Sequence, residues 1–170
     1  MSQAIIDSNA RASAGANAMH SIERQVLLRA PRSRVWNALT DVKKFCEWFG
    51  VDAADGEFKP GAKVHMSASH ACGGAFDIMV EQMQPEHLFT WRWHPGARDP
   101  SVDYGKETPT LVEFKLADAQ VDGKGGTTLT IKESGFDNIS LARRARVFGE
   151  NSHGWDDQVR NLERYVNQAS

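Results

Sequence analysis

Glu133 and His94 are the two side chains whose neighbours best place them to move a proton or hold a polar ligand atom. Glu133 follows Leu129 and Ile131 at alternate positions, so on a strand it shares their inward face. A carboxylate there has a raised pKa if buried alone, or pairs with a cation such as Arg92 or Arg143. Its roles are then structural ion pair, polar anchor for a ligand, or general base. His94 closes an aromatic strand at the mouth of a long loop. Beside an acid it would act as base or anchor; otherwise it is an exposed strand-end residue. Cyclase, hydrolase or isomerase chemistry would need such a base and a donor for a developing oxyanion. Glu133 and His94 are therefore the catalytic candidates, with no third residue at a fixed spacing to complete a constellation.

Other chemistries find less support. His65, His70, His87, His94 and His153 have no metal-ligand spacing, and no second pair completes a zinc site with His70 and Cys72. No metal and no cofactor is expected. Gly123 to Gly126 is a turn and not a phosphate loop, because no Gly-Lys-Ser/Thr follows. Arg143, Arg144 and Arg146 form a basic cluster that reads first as a solvated helix face and second as a seat for an acidic partner or a phosphate. The formal net charge of −2 gives no general pull toward nucleic acid or anionic membrane. No apolar run approaches the ~20 residues needed to cross a bilayer.

The broader signal is a stripe of rings. Phe89, Trp91 and Trp93 alternate with Thr90 and Arg92. Neighbouring strands with the same parity put Met66, Phe76, Ile78, Val112 and Phe114 on that face, with Trp155 from the last helix and Trp48 from an early one. These residues either fill a core or line a cavity for an apolar or aromatic molecule. The indole N–H of a buried Trp needs a partner, which suits a ligand with a polar end.

These residues need elements to hold them. At 170 residues and 41% hydrophobic, the chain is one domain with a real core. Residues 1–19, rich in Ala, Ser and Asn, read as a disordered leader, and 20–170 as the single folded domain. No basic segment and apolar core of an export signal opens the chain, which points to the cytoplasm. Cys46 and Cys72 read as apolar fillers.

Ser21 to Arg29 predicts a strand with Ile22, Val26 and Leu28 on one side, interrupted by Arg24. Pro31 starts a helix, and Asp41 either closes it or caps a second short one ending at Phe49. Strands follow around Val64, Ile78, Trp91, Phe114 and Ile131, with turns at Gly56–Gly61, Gly73-Gly74, Gln84-Pro85-Glu86 and Asp122–Gly126. A loop from Pro95 to Thr108 is long enough to be functional. A final helix begins near Ile139, breaks or bends near Gly149 and Gly154, and buries Trp155, Val159, Leu162 and Val166. Asp156, Arg160 and Glu163 lie on its wet face.

This order resembles the START-like (SRPBCC) helix-grip superfamily, and within it the group related to the activator of the Hsp90 ATPase. The residues that carry the resemblance are Ala30-Pro31, Val35-Trp36, Leu39-Thr40-Asp41, Trp48-Phe49, Pro60-Gly61, Gln84-Pro85-Glu86 with Phe89-Thr90-Trp91, Gly126-Thr127 with Leu129, Glu133-Ser134-Gly135-Phe136 and Gly154-Trp155. They span Ser21 to Gln168. The resemblance implies an α+β fold: a curved antiparallel sheet of six or seven strands around a long C-terminal helix, two short helices after the first strand, and a cavity between sheet and helix. It implies several functions: carriage of a small apolar molecule, catalysis in the same cavity, or co-activation of a chaperone ATPase by protein contact. A homodimer through a sheet edge or the Arg98-Asp99-Pro100 loop is also open to such a chain.

Overall fold

The computed structural model describes residues 20–69 and 74–168. His70, Cys72, Gly73 and the first 19 residues lie outside the described residues, and so do the expectations placed on them. Seven strands form one antiparallel sheet: β1 (Ser21–Leu28), β2 (Ala53–Asp55), β3 (Lys63–Ser67), β4 (Phe76–Gln84), β5 (Leu88–Trp93), β6 (Thr110–Val121) and β7 (Lys124–Ser134). Their spatial order is β1-β7-β6-β5-β4-β3-β2. Helices α1 (Arg32–Thr40) and α2 (Val42–Phe49) follow β1, and α3 (Leu141–Gln168) lies in the grip of the sheet.

Local chemistry explains the boundaries. Pro31 supplies the N-cap of α1 with φ −67°. Asp41 serves both helices, ending α1 and accepting the Lys44 N–H at 3.1 Å to begin α2. Gly50 ends α2 at φ 85°, the left-handed conformation that glycine adopts freely. The meander expected from Val64 to Ile131 is present, with a register shift between Val80 and Gln82 where β4 meets β5. The three-residue β2 was not predicted; it lacks an apolar stripe and pairs only with β3.

The sheet's inner face is apolar. Val64, Met66, Ile78, Phe89, Trp91, Val112, Phe114, Leu129 and Ile131 are buried against Val147, Trp155, Leu162 and Val166 of α3. The expected break in the last helix is not observed: α3 runs unbroken for 28 residues through Gly149 and Gly154. A single glycine weakens a helix by about 1 kcal/mol, which the buried stripe on either side outweighs. Asp156, expected on the wet face, is partly buried and accepts from Arg24 Nε at 2.6 Å. Arg24 also donates to Ser152 Oγ at 2.9 Å. The charged interruption in β1 is thus a strap from sheet to helix. On the other flank Gln158 Nε2 donates to the Phe49 carbonyl at 2.9 Å, and Trp48 Nε1 to the Ala38 carbonyl at 2.7 Å.

Candidate functional site

Glu133 is completely buried at the end of β7, on the inward face that its parity predicts. The expected cation is absent. Arg92 donates instead to Glu81 at 2.5 Å, and Arg143 to Glu107 at 2.6 Å. Those positions lie on the outer face of β5 and on the first turns of α3, out of reach of this carboxyl. Four neutral side chains take the cation's place. Oε1 accepts from Trp93 Nε1 at 2.8 Å, Thr110 Oγ1 at 2.7 Å and Asn151 Nδ2 at 3.0 Å. Oε2 accepts from Asn151 Nδ2 at 2.9 Å and Trp155 Nε1 at 2.7 Å. Burial pushes the carboxyl above the ordinary glutamate range, and the bonds from Trp155, Trp93, Asn151 and Thr110 oppose that rise without cancelling it. The node binds β5, β6 and β7 to α3. With both oxygens engaged inside the protein, Glu133 has no free lone pair to accept a substrate proton.

Immediately in front of this node lies an open cleft of about 530 Å³. Its walls are Phe49, Phe76, Trp93 and Trp155, and α3 edges it with Asn151, Gly154, Gln158 and Asn161. The chain from His94 to Ala97 closes one side. Three of the Glu133 donors, Trp93, Asn151 and Trp155, therefore line the cleft while their polar atoms point away from it into the node. The carboxylate fixes the rings that a ligand would touch. At Gly154 a methyl group would meet nothing within 4 Å, so the missing side chain contributes directly to the open volume.

The structure divides the sequence-predicted ligand residues into two sets. Phe76, Trp93 and Trp155 line the cleft. Trp48, Met66, Ile78, Phe89, Trp91, Val112 and Phe114 are buried in the packed core behind it. Their rings pack tilted or edge-on against one another and against Phe45: Trp91 and Phe114 have centroids 4.9 Å apart, and Phe45 and Trp91 5.6 Å. Partners for indole N–H groups exist at Trp48, Trp93 and Trp155, whereas Trp91 Nε1 is buried without one. Phe49, Asn151, Gly154, Gln158 and Asn161 also line the cleft and are not among the expected ligand residues. Asn151, Gly154, Gln158 and Asn161 recur at three- and four-residue spacing beside Trp155, a run of amides and a glycine in an otherwise charged helix. That pattern was the available signal.

His94 does meet an acid. Its Nδ1 lies 3.9 Å from Glu107 Oε1, too far for a hydrogen bond, and both atoms are buried without a partner. Glu107 is held by Arg143, whose Nε and Nη2 are also buried and unpaired. Tyr104 covers the group, its ring 5.0 Å from His94 and 5.6 Å from the Arg143 guanidinium. Burial lowers the His94 pKa; Glu107 opposes this, while Arg98 and Arg143 add to it. The imidazole is thus neutral near pH 7. The Arg143–Arg144–Arg146 cluster is consumed internally, by Glu107, by the carbonyls of Asp137 and Ile139, and by Glu150. Among the described residues no group of three or more His, Cys, Asp or Glu is arranged to hold a metal ion. No helix among them is long and apolar enough to cross a membrane.

A seven-stranded antiparallel sheet gripping a long C-terminal helix, with two short helices after the first strand and a cleft beside the helix, defines a helix-grip protein of the START-like class. Residues 29–167 match the profile of the family described as activator of Hsp90 ATPase homolog 1-like protein, and the chain belongs to that family. Solved structures share the fold at low identity. Protein MLL2253 from Mesorhizobium loti is 23% identical, with a TM-score of 0.69 over 88% of this chain and 98% of its own. The Aha1 dimer from Colwellia psychrerythraea is 15% identical, with a TM-score of 0.65 over 88% and 98%. DynU16, a protein of the dynemicin biosynthetic locus, is 23% identical with a TM-score of 0.63; the match covers 89% of this chain and 48% of that one. No curated protein matches the sequence at a significant level.

Proposed function

We propose that this protein binds a small apolar or aromatic molecule in the cleft between the sheet and α3. The observation that carries the reading is the cleft itself. Its volume of about 530 Å³ falls in the range of small-molecule sites, roughly 300–1,000 Å³, and its walls are aromatic with a few polar groups at the edge. Preorganisation supports it: a buried carboxylate holds two indoles and an amide in place without using a ligand to do so. Occurrence of the same fold in a biosynthetic locus is in keeping with this reading. An enzyme of the cyclase, hydrolase or isomerase kind has less support, because Glu133 is saturated, and the other titratable groups lining the cleft, His94, Glu150, His153 and Asp157, are not joined to a donor set for a developing oxyanion.

The test is a titration of intrinsic tryptophan fluorescence against fatty acids, flavonoids and aromatic acids. Trp93 and Trp155 report directly on an occupied cleft. We expect a saturable change with at least one class. That change should vanish in Gly154→Leu, which projects a branched side chain into the cleft between Trp155 and the ligand, and persist in Gly149→Ala, which lies on the exposed side of the same helix. No saturable response, or an undiminished one in Gly154→Leu, would overturn the assignment.

The family description and the Aha1 neighbour favour one second reading, stimulation of a chaperone ATPase through protein contact. A steady-state ATPase assay with the purified chaperone separates it from the first: stimulation that survives Gly154→Leu, after ligand binding is lost, would place the chaperone contact away from the cleft.

A further inference from the structure

Beside the aromatic cleft lies a second, smaller hollow of about 130 Å³, and the two share Phe76, His94 and Gly96 as a common wall. Their chemistry differs. The large cleft is walled by the rings of Phe49, Phe76, Trp93 and Trp155, and its two carboxylates, Glu150 and Asp157 on α3, are already paired with Arg146 and Arg160. The small one is lined by Lys63, Arg98 and Tyr104, with Asp77 as its one carboxylate. Asp77 is already engaged, by His65 Nδ1 at 2.7 Å and Lys63 Nζ at 3.5 Å. Among the described residues Arg98, which is exposed, has no carboxylate partner and makes no side-chain hydrogen bond. Its guanidinium rests over the Tyr104 ring, 5.3 Å from the centroid, and its charge is felt at His94 on the shared wall. A cation–π contact holds a guanidinium in place while leaving its N–H edge free to bind an anion.

Resting on the cleft reading above, we propose that the ligand is an aromatic carboxylate. Its ring system lies against Trp93, Trp155 and Phe76, and its carboxylate crosses the shared wall to the Arg98 guanidinium. Two observations converge on this class. An apolar molecule without a charge would leave Arg98 unused, and a small anion without rings would leave the large cleft empty. A planar guanidinium matches a carboxylate through two parallel hydrogen bonds, which fixes orientation as well as affinity.

The experiment compares 2-naphthoate with its uncharged isostere 2-naphthamide by isothermal titration calorimetry, on the full chain. For the wild type we expect the acid to bind about tenfold or more tightly than the amide, the equivalent of one charge-assisted hydrogen bond. In Arg98→Gln, an exposed substitution, the two affinities should converge on that of the amide. In Gly154→Leu both should be lost. Equal binding of acid and amide to the wild type, with both lost in Gly154→Leu, would overturn the anion subsite and leave the cleft standing. An acid preference that survives Arg98→Gln would likewise overturn the role of Arg98. No binding of either compound would overturn the aromatic-carboxylate assignment, the cleft itself being judged by the fluorescence titration, whereas binding unaffected by Gly154→Leu would overturn the cleft reading and the subsite together.

Discussion

Glu133 is a charge-bearing group that the fold surrounds with donors and no cation. Trp93, Trp155, Asn151 and Thr110 all aim N–H or O–H groups at it, an arrangement suited to an acceptor with two oxygens. Glu133→Gln keeps the shape but turns an amide NH₂ toward at least one of these donors. It should cost about 1–3 kcal/mol in urea unfolding, the usual penalty for a buried polar group left unpaired. The pH dependence is more diagnostic. Burial raises the folded-state pKa of Glu133 above its unfolded value, so its contribution to stability is fully present below the ordinary glutamate range. It declines as pH rises through the folded-state value. Glutamine cannot ionise, so the gap between wild type and Glu133→Gln should be widest in acid and narrow as the pH is raised. A gap that widens with pH would mean that the donors outweigh burial. Strand parity alone was enough to place this carboxyl inside, since alternation with Leu129 and Ile131 is a local property. Its partners were not legible, because they come from β5, β6 and α3, up to 40 residues away in sequence.

At the scale of elements, two glycines, one in α3 and one in β7, have opposite consequences. Gly149 is exposed, is helical, and has nothing within 4 Å of an added methyl group. Gly149→Ala should raise stability by about 0.5–1 kcal/mol through the lower entropy of the unfolded chain, read as a higher urea midpoint with an unchanged slope. Gly126 in β7 is the opposite case. A methyl group there would lie 2.6 Å from the Leu28 carbonyl oxygen and 2.6 Å from Val121 Cγ2. Backbone cannot swing aside as a flexible side chain does, so Gly126→Ala should lower stability by about 1–3 kcal/mol. The break-or-bend expectation at the two helix glycines rests on propensity alone, and no break occurs. The buried stripe of Val147, Trp155, Leu162 and Val166 decides the helix, and its 3.6-residue period runs straight through them. The strands were legible for the same reason, each carrying its own period of two. The division of the inner-face rings into core and cleft wall was not legible. Parity says which side a ring faces and says nothing of whether another element covers it. Phe114 and Trp93 share a face, yet only Trp93 reaches the open end of the grip.

Across the whole molecule, support is distributed unevenly and the cleft lies on the boundary. β5, β6 and β7 occupy the middle of the sheet, are bonded on both sides, and are tied to α3 through Glu133. β7 also receives β1, whose Arg24 straps the helix from the far flank. At the opposite edge β2 has three residues and pairs only with β3, and β3 meets β4 over four residue pairs. The wall formed by Trp93, Asn151 and Trp155 therefore belongs to the stiff half, and Phe76 at the start of β4 to the loose half. Native-state amide exchange should resolve this. Amides of β6 and β7 should exchange only through global unfolding, and those of β2 and β3 through smaller openings at lower free energy. A compound seated against Phe76 should slow β3 and β4 selectively, because its binding energy adds to the cost of opening that half. Uniform protection across β3, β6 and β7 would make the sheet one cooperative unit. The cleft would then be a rigid slot, and ligand size would be limited by the volume between Trp155 and Phe76 and not by the give of the β4 edge.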